Sequence, residues 1–476
     1  MLWLCAHLTH LPLEIFLRGE RTTDPFVVID AGHVVAANPP AIRGGVRAGM
    51  RLSAAQTLVP FLHHRERALG AEGRALRQIA AWALQFTSRI SLQPPQSLML
   101  EIGGSLRYFG GLETLRSRIG HGLETLGYRC LLAIAPTPTA ALLLARAGRE
   151  QPVTDEEELP SAISGLPVTV LNPDERQLAA LDGLGVRTLG DCMALPRQGL
   201  SRRLGPGLMR QVDRALGRLA EPRRDWQPPA RFHSELELSA EVLQTEHLIF
   251  GLNRLVRELC GYLRGTESGT QRFQIRLQHL RQADTPFSVG LVAAGRDPEH
   301  LLELTRQRLE RITLPAPVVG LTLGTRDIHR LPPENRTLLE EQPAAVDGTR
   351  YGALLERLSA RLGERTVQGV RIREEHRPEQ AWEYAPPGER GPTVSLPERP
   401  TWLLTCPHPL EARGGQPIWH GPLVLERGPE RIESGWWDGG DIARDYYIAV
   451  NPEGERVWLF RERRGRQGWF LHGIFA

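Results

Sequence analysis

One carboxylate, Glu101, sits in the otherwise apolar run Leu98-Met99-Leu100-Glu101-Ile102, between a Pro-Pro pair and a Gly pair. A run this short and continuous predicts a strand buried on both faces, inside a sheet and not at its edge. Two or three acids on such a strand would make an oxygen-rich cluster that holds Mg²⁺ against phosphates, the chemistry of phosphoryl transfer. Here the strand has the setting for that chemistry and lacks the ligands. Other reactive groups are sparse. The five cysteines (5, 130, 192, 260, 406) are far apart with no CxxC pair, which indicates neither a zinc site nor a disulfide framework and fits a reducing cytoplasm. All 58 basic residues are arginine, a bias best explained by genome base composition, so chemistry that needs a lysine amine is excluded.

These residues must be positioned by several domains, because 476 residues exceed one hydrophobic core. With 41% hydrophobic and 24% charged residues, the composition is that of a soluble globular protein. No apolar run is long enough to span a membrane. The N-terminus lacks a basic n-region and reads as a first strand, not a signal peptide. A net charge of +3 does not by itself demand nucleic acid.

Along the chain, residues 2–8 read as a strand and 11–18 as a helix. Strands are expected at 26–30 and 34–37, then a break at Asn38-Pro39-Pro40 and a glycine-rich turn over 42–50. Helices follow at about 53–58 and 68–87, then the central strand, a helix at 112–126, a buried strand at 131–135 and a helix over 139–147. The order of strand, Ala-Asn, Gly-Val-Arg-x-x-Met, Thr-Ser-Arg-Ile, central strand and Ala-Pro before a helix resembles the palm and fingers of Y-family translesion DNA polymerases. Within that family it is most similar to the ImuB branch, an accessory of bacterial mutagenic repair. The resemblance covers about residues 1–330 as a polymerase core, and the remainder resembles the ImuB tail.

Active Y-family members carry an Asp-x-Asp pair on the first strand and an Asp-Glu pair just before the central strand. The resemblance puts Cys5 and His7 at the first pair, within one residue, and Gln96 and Ser97 at the second. Glu101 matches a later acid that is not a metal ligand. The family's triphosphate-gripping Tyr and Arg correspond to Pro39 and Ile42. Amide, hydroxyl and apolar side chains cannot neutralise a Mg²⁺ pair, and a thiol with an imidazole favours softer metals. The resemblance thus implies the polymerase fold without its chemistry and without a cofactor. The rival is an active polymerase with relocated ligands, for which Asp30 is the other acid on a neighbouring strand.

Residues 178–195 read as two short helices meeting at Gly183-Leu184-Gly185, where glycines let backbone amides approach a ligand. Thr188 and Asp191 resemble a capping box on the second helix. This is either a helix-hairpin-helix that holds a DNA phosphate, with Arg187 beside it, or an ordinary helical corner. Its position, where the family has its thumb, favours DNA. After a Pro- and Arg-dense linker (221–230) come strand 231–238, helix 243–264, strands 271–280 and 286–293, helix 297–311 and strand 317–324. This β-α-β-β-α-β order reads as a ferredoxin-like unit, similar to the family's little finger. Its second strand sets Phe273, Ile275 and Leu277 on one face, and Arg272, Gln274, Arg276 and Gln278 on the other. That polar face is either solvated or, as the resemblance implies, laid on a DNA backbone.

The fold class expected is therefore a multidomain α+β right hand. Residues 1–165 would form palm and fingers (fingers about 20–78), 166–222 a thumb, 223–330 a little finger and 331–350 a linker. A small β-rich C-terminal domain would occupy 351–476. In the linker, Asn335, Leu338 and Leu339 are the nearest match to the family's sliding-clamp peptide, lacking its Gln and aromatic; a bare linker is the alternative. The tail holds seven of the ten tryptophans, at or after Trp382. Residues 351–363 read as an amphipathic helix with Leu354, Leu355, Leu358 and Leu362 on one face. Trp436-Trp437 and Tyr446-Tyr447 would build the tail's core, or else anchor partners. The function implied is a non-catalytic scaffold in damage-induced translesion synthesis, part of the SOS response. Its partners would be primer–template DNA, a sliding clamp, an ImuA-like RecA-related protein and an error-prone replicative-type polymerase. A third reading, plain DNA binding without a polymerase partner, predicts a dispensable tail.

Overall fold

The computed structural model describes residues 1–19, 24–331, 343–363, 366–387, 389, 397–464 and 468–475, with no account of the side chains of 239 and 343–351. The chain divides into two compact units, Met1–Arg361 and Leu362–Ala476.

In the first unit the strands Ile90–Gln93, Ser97–Glu101, Trp3–His7 and Leu131–Ala135 lie side by side in that order, each antiparallel to its neighbour. The strand Ser97–Glu101 is internal, and all five of its residues are buried. Its apolar character follows from cover on both faces. Leu4, Ala6, Leu98 and Leu100 pack on Leu76, Ile79 and Ala80 of the helix Leu69–Ala83 and on Leu115, Ile119 and Leu123 of the helix Leu112–Thr125. Trp3, Cys5, Met99 and Ala133 face the helix Pro138–Arg146 and the small helices beyond it. A separate sheet has Phe26–Asp30 between His33–Ala37 and His63–Glu66. Asp30 therefore belongs to another sheet than Glu101 and does not neighbour it by strand pairing, contrary to the expectation. Its carboxylate is half-exposed, with Arg67 Nη1 3.9 Å away.

The next subdomain has strands Phe232–Val242, Ser268–His279, Thr285–Gly295 and Val318–Thr325 with helices Thr245–Gly265 and Pro298–Leu309, in the expected β-α-β-β-α-β order. The sheet order differs from the ferredoxin-like one. In a ferredoxin-like sheet the first and third strands are the central neighbours; here the second and fourth are, with the third and first at the edges. Both helical crossovers still join parallel strands with an antiparallel one between them, so sequence order alone is compatible with either arrangement. The subdomain docks on the first sheet's helices through Trp82. A Cβ on Gly122 or on Gly261 would come within 2.3 Å of that indole, so both positions require glycine.

The helix Pro343–Leu362 is split by the boundary after Arg361 and lies almost wholly in the first unit, not in the tail where residues 351–363 were expected. Its burial is also inverted. Leu354, Leu358 and Leu362 are exposed and Leu355 is half-buried, while Glu356 is buried and accepts hydrogen bonds from the Val292 amide (2.7 Å) and the His300 ring (2.5 Å). That bond to Glu356 raises the His300 pKa above its ordinary value. A histidine whose folded pKa is raised contributes stability that is fully present below about pH 6.5 and is lost as pH rises through the folded value. Hydrogen exchange should accordingly show the protection factor of the Val292 amide falling as pH rises past neutrality. His300→Asn should flatten that dependence; a wild-type protection factor constant with pH would refute the linkage.

The C-terminal unit pairs Trp402–Leu410, Trp469–Ile474, Arg456–Glu462, Ile442–Val450 and Val424–Ser434 in that order, all antiparallel. Leu423, Ala449, Val457, Leu459 and Leu471 form one apolar cluster; Ile432, Tyr446, Ile448, Trp458 and Phe460 form another. Tyr446 stacks on Trp458 with centroids 4.1 Å apart. Tyr446 is thus core, whereas Trp436 and Trp437 are 78% and 57% exposed and contribute nothing to it.

Candidate functional site

Residues 5, 7 and 97 converge because the first strand pairs with the central one in the register His7↔Ser97 and Cys5↔Met99. His7 Nδ1 lies 2.8 Å from Ser97 Oγ. Cys5 is fully buried, and that burial pushes its thiol up to about 12. Burial, and then the nearby Arg146 charge, push the His7 imidazole down to about 4. At neutral pH the trio is therefore a thiol, an imidazole and a hydroxyl, with no negative charge. Gln96 is half-buried, and its carbonyl accepts from the Leu8 amide at 2.8 Å.

The charges beside this trio are positive. Arg146 donates to the Val170 carbonyl at 2.8 Å, and its field reaches both Cys5 and His7. Arg223, from the linker, returns to the sheet: its Nη1 is 3.1 Å from Gln93 Oε1 and 3.5 Å from Ser91 Oγ. Glu221 holds it there, accepting from Arg223 at 2.6 Å and from the Thr139 hydroxyl at 2.7 Å. Glu101 lies four residues along the strand from Ser97, roughly 13 Å away at the usual rise. Its carboxylate accepts from the amides of Leu2 (3.3 Å) and Gly103 (3.1 Å), a local capping role. Among the described residues, a cluster of metal-ligating type occurs at His420, Glu453 and Glu455, exposed on the C-terminal unit.

Pro39 and Ile42 lie on the helical turn Pro39–Arg43, capped by Asn38, whose side chain accepts from the Ala41 amide at 3.1 Å. They line an open cavity of about 960 Å³ with His10, Glu14, Arg43 and Arg129. Proline offers no donor there and Ile42 is exposed and apolar, so neither grips a phosphate.

The helices Glu175–Gly183 and Leu189–Ala194 meet at Gly183–Gly185 as expected, with Gly185 in the left-handed region at φ +71°. The expectation of free amides fails. Leu184 N donates to the Ala180 and Leu181 carbonyls, Gly185 N to Asp182 O, and Val186 N to Leu181 O. The amides of Arg187 and Thr188 donate to the Asp191 carboxylate at 3.0 and 2.8 Å. The corner's own acid thus occupies the place of a phosphate on these two amides.

On the strand Ser268–His279 the alternation is as read: Phe273, Ile275 and Leu277 are buried, and Arg272, Gln274 and Arg276 are exposed. Their cross-strand neighbours are short, with Gly290 beside Arg272, Ser288 and Gly324 beside Gln274, and Pro286 and Thr322 beside Arg276. The long polar side chains therefore stand above a low surface. Arg231 and Arg326 line the same open face, as do Glu235, Asp284 and Asp327. Asn335, Leu338 and Leu339 lie outside the described residues.

Residues 14–146 match the model of the impB/mucB/samB family, and the match begins after Cys5 and His7. Over nearly its whole length the chain is similar to Protein ImuB of Caulobacter vibrioides. Identity is 27% over 460 residues, covering 91% of this chain and 100% of that one, in strains NA1000 / CB15N and ATCC 19089 / CIP 103742 / CB 15 alike. These matches bear out the resemblance to the ImuB family. Among solved structures, a Dbh ternary complex and DinB from Sulfolobus solfataricus align at 15% and 16% identity. Each alignment covers 70% of this chain and 100% of the other at a TM-score of 0.40.

Proposed function

We propose that this chain is a non-catalytic Y-family polymerase homologue that binds DNA and recruits other proteins during translesion synthesis in the cytoplasm. The observation that carries this reading is the uncharged Cys5–His7–Ser97 trio, with Arg146 and Arg223 beside it. Two divalent cations need several oxygen anions around them, and two guanidinium groups repel them. Residues 1–165 serve as palm and fingers, 166–222 as thumb and 223–330 as little finger. The open face of Arg272, Gln274 and Arg276 meets the primer–template backbone without reading sequence. The linker, through Asn335, Leu338 and Leu339, touches a sliding clamp. The tail recruits an ImuA-like RecA-related protein and an error-prone replicative-type polymerase.

The test is primer extension by the purified chain with Mg²⁺ or Mn²⁺, together with binding to primer–template DNA over a salt series. No extension is expected, with binding that weakens as salt rises. The variant Arg272→Gln/Arg276→Gln should weaken binding alike on unrelated sequences and reduce the salt slope by about 2. Nucleotide incorporation by the wild-type chain would instead establish the active-polymerase reading. An unchanged slope would remove these arginines from the interface.

A further inference from the structure

Three buried polar atoms on one cavity wall have no role in the function proposed above. Glu14 is 9% exposed; its Oε1 accepts from the Arg129 amide at 2.8 Å, and its Oε2 has no partner. Tyr128 is 0% exposed, and its hydroxyl has no partner either. The third is Arg254 Nη1, from the helix Thr245–Gly265, again buried and without a partner. All three residues line the open cavity of about 960 Å³, with Arg43 and Arg129 at its exposed rim. Arg254 is held in place there. Its guanidinium lies 4.3 Å from the Phe250 ring centroid, and a Cβ on Gly127 would come within 2.6 Å of its Cζ. Both oxygens of Glu258 are engaged already, by Arg18 and by the Ser234 hydroxyl. Burial raises the Glu14 carboxyl to about 7 and lowers Arg254 to about 10. Unmet polar groups of this kind oppose folding unless something from solvent meets them.

The three atoms differ in kind, and that difference selects the ligand. A carboxylate oxygen accepts, a guanidinium donates, and a phenol does either. A group that meets all three is compact, negatively charged and still carries an acidic OH. Phosphate and its monoesters combine these properties near neutral pH, because their second pKa is about 6. Sulfate and an ionised carboxylate have no proton to give Glu14, and Arg254 repels a divalent cation. We propose that Glu14, Tyr128 and Arg254 form a binding site for a hydrogen-phosphate group, free or as a small monoester. Its P–OH donates to Glu14 Oε2, while Arg254 Nη1 and the Tyr128 hydroxyl donate to its other oxygens. Pro39 and Ile42 take no part, and none of Cys5, His7 and Ser97 lines the cavity. Glu14 belongs to the helix Leu11–Leu17 and Arg254 to the subdomain that follows, so the bound group ties the two together.

The experiment is calorimetric titration of the full-length chain at neutral pH with inorganic phosphate, sulfate, bicarbonate and glycerol phosphate. Phosphate should bind about tenfold or more tightly than sulfate, which cannot donate to Glu14. Glu14→Gln, whose amide donates to either anion, should bring the two within about threefold. Tyr128→Phe should weaken phosphate about fivefold, and Arg254→Met about 30-fold. Glycerol phosphate separates the sources: tighter binding than phosphate assigns the site to a monoester, weaker binding to the free ion, and either supports the proposal. Without ligand, Tyr128→Phe should keep the wild-type melting temperature. A fall of more than about 3 °C would show that the hydroxyl is bonded within the chain, against the site. No phosphate binding, or sulfate bound equally well, would overturn the proposal. Phosphate binding unchanged in all three variants would overturn it as an adventitious ion only. Tighter binding of bicarbonate, which also keeps an OH, would overturn phosphate as the ligand.

Discussion

Replacing Glu258 with alanine is expected to destabilise the chain by about 3–5 kcal/mol, because it strands a buried guanidinium. Glu258 is 1% exposed and accepts from Arg18 Nη1 and from the Ser234 hydroxyl. Arg18 comes from the helix Leu11–Leu17 boundary, is 4% exposed, and also donates to the Glu235 carbonyl at 3.2 Å. Its guanidinium carbon lies 4.8 Å from the Tyr128 ring centroid. This pair therefore ties the first sheet's layer to the strand Phe232–Val242 and the helix Thr245–Gly265. Urea unfolding of Glu258→Ala measures the cost. Because the pair's desolvation opposes its attraction, Arg18→Met/Glu258→Leu should recover most of the loss. A cost under about 1 kcal/mol for the single variant would mean that water reaches Arg18 and that the junction is looser than its burial indicates.

Much of this architecture is legible in the residues. Long periodic segments, such as the helix Thr245–Gly265 and the alternating strand Ser268–His279, fall where their patterns put them. The strand order of that subdomain is not legible, since the same sequence of elements and the same crossovers allow either central pair. The strands Ile90–Gln93 and His63–Glu66 are short, and the latter is wholly exposed, so neither shows an apolar pattern strong enough to read. In the helix Pro343–Leu362 the leucine stripe is real, but periodicity does not say which face is covered. The Val292 amide and His300 decide that by taking Glu356 inward.

The candidate site divides along the same line. That residues 5, 7 and 97 meet is implied by the resemblance to the Y-family, and the register His7↔Ser97 brings it about. That Arg223 comes back to the sheet is not implied, because a Pro- and Arg-dense linker gives no hint of which arginine turns inward. At the helical corner the signal was present. A capping box between Thr188 and Asp191 already means that a carboxylate sits on the amides a phosphate would need. Trp436 and Trp437 went the other way: tryptophans are usually buried, and the loop that exposes them is held through Asp438 by Arg377, distant in sequence.

Cys5→Asp tests whether a carboxylate on the strand Trp3–His7 can hold a cation. Cys5 is enclosed with Trp3, Met99 and Ala133, so a carboxylate there loses its water, with Arg146 and Arg223 offsetting part of the loss. The expected cost at pH 8 is on the order of 3 kcal/mol. Burial raises the folded pKa of the new carboxyl above its unfolded value of about 3.9. The folded state then holds the proton more tightly, so the penalty is nearly absent below about pH 4 and grows as pH rises through the folded pKa. Urea unfolding at pH 5 and pH 8, with and without Mg²⁺, reads both the pH dependence and any metal. Stability should be lower at pH 8 than at pH 5 relative to wild type, and Mg²⁺ should not restore it, because the two arginines oppose a cation there. Recovery with Mg²⁺ would show that one acid suffices to make a cation site here, against the non-catalytic reading.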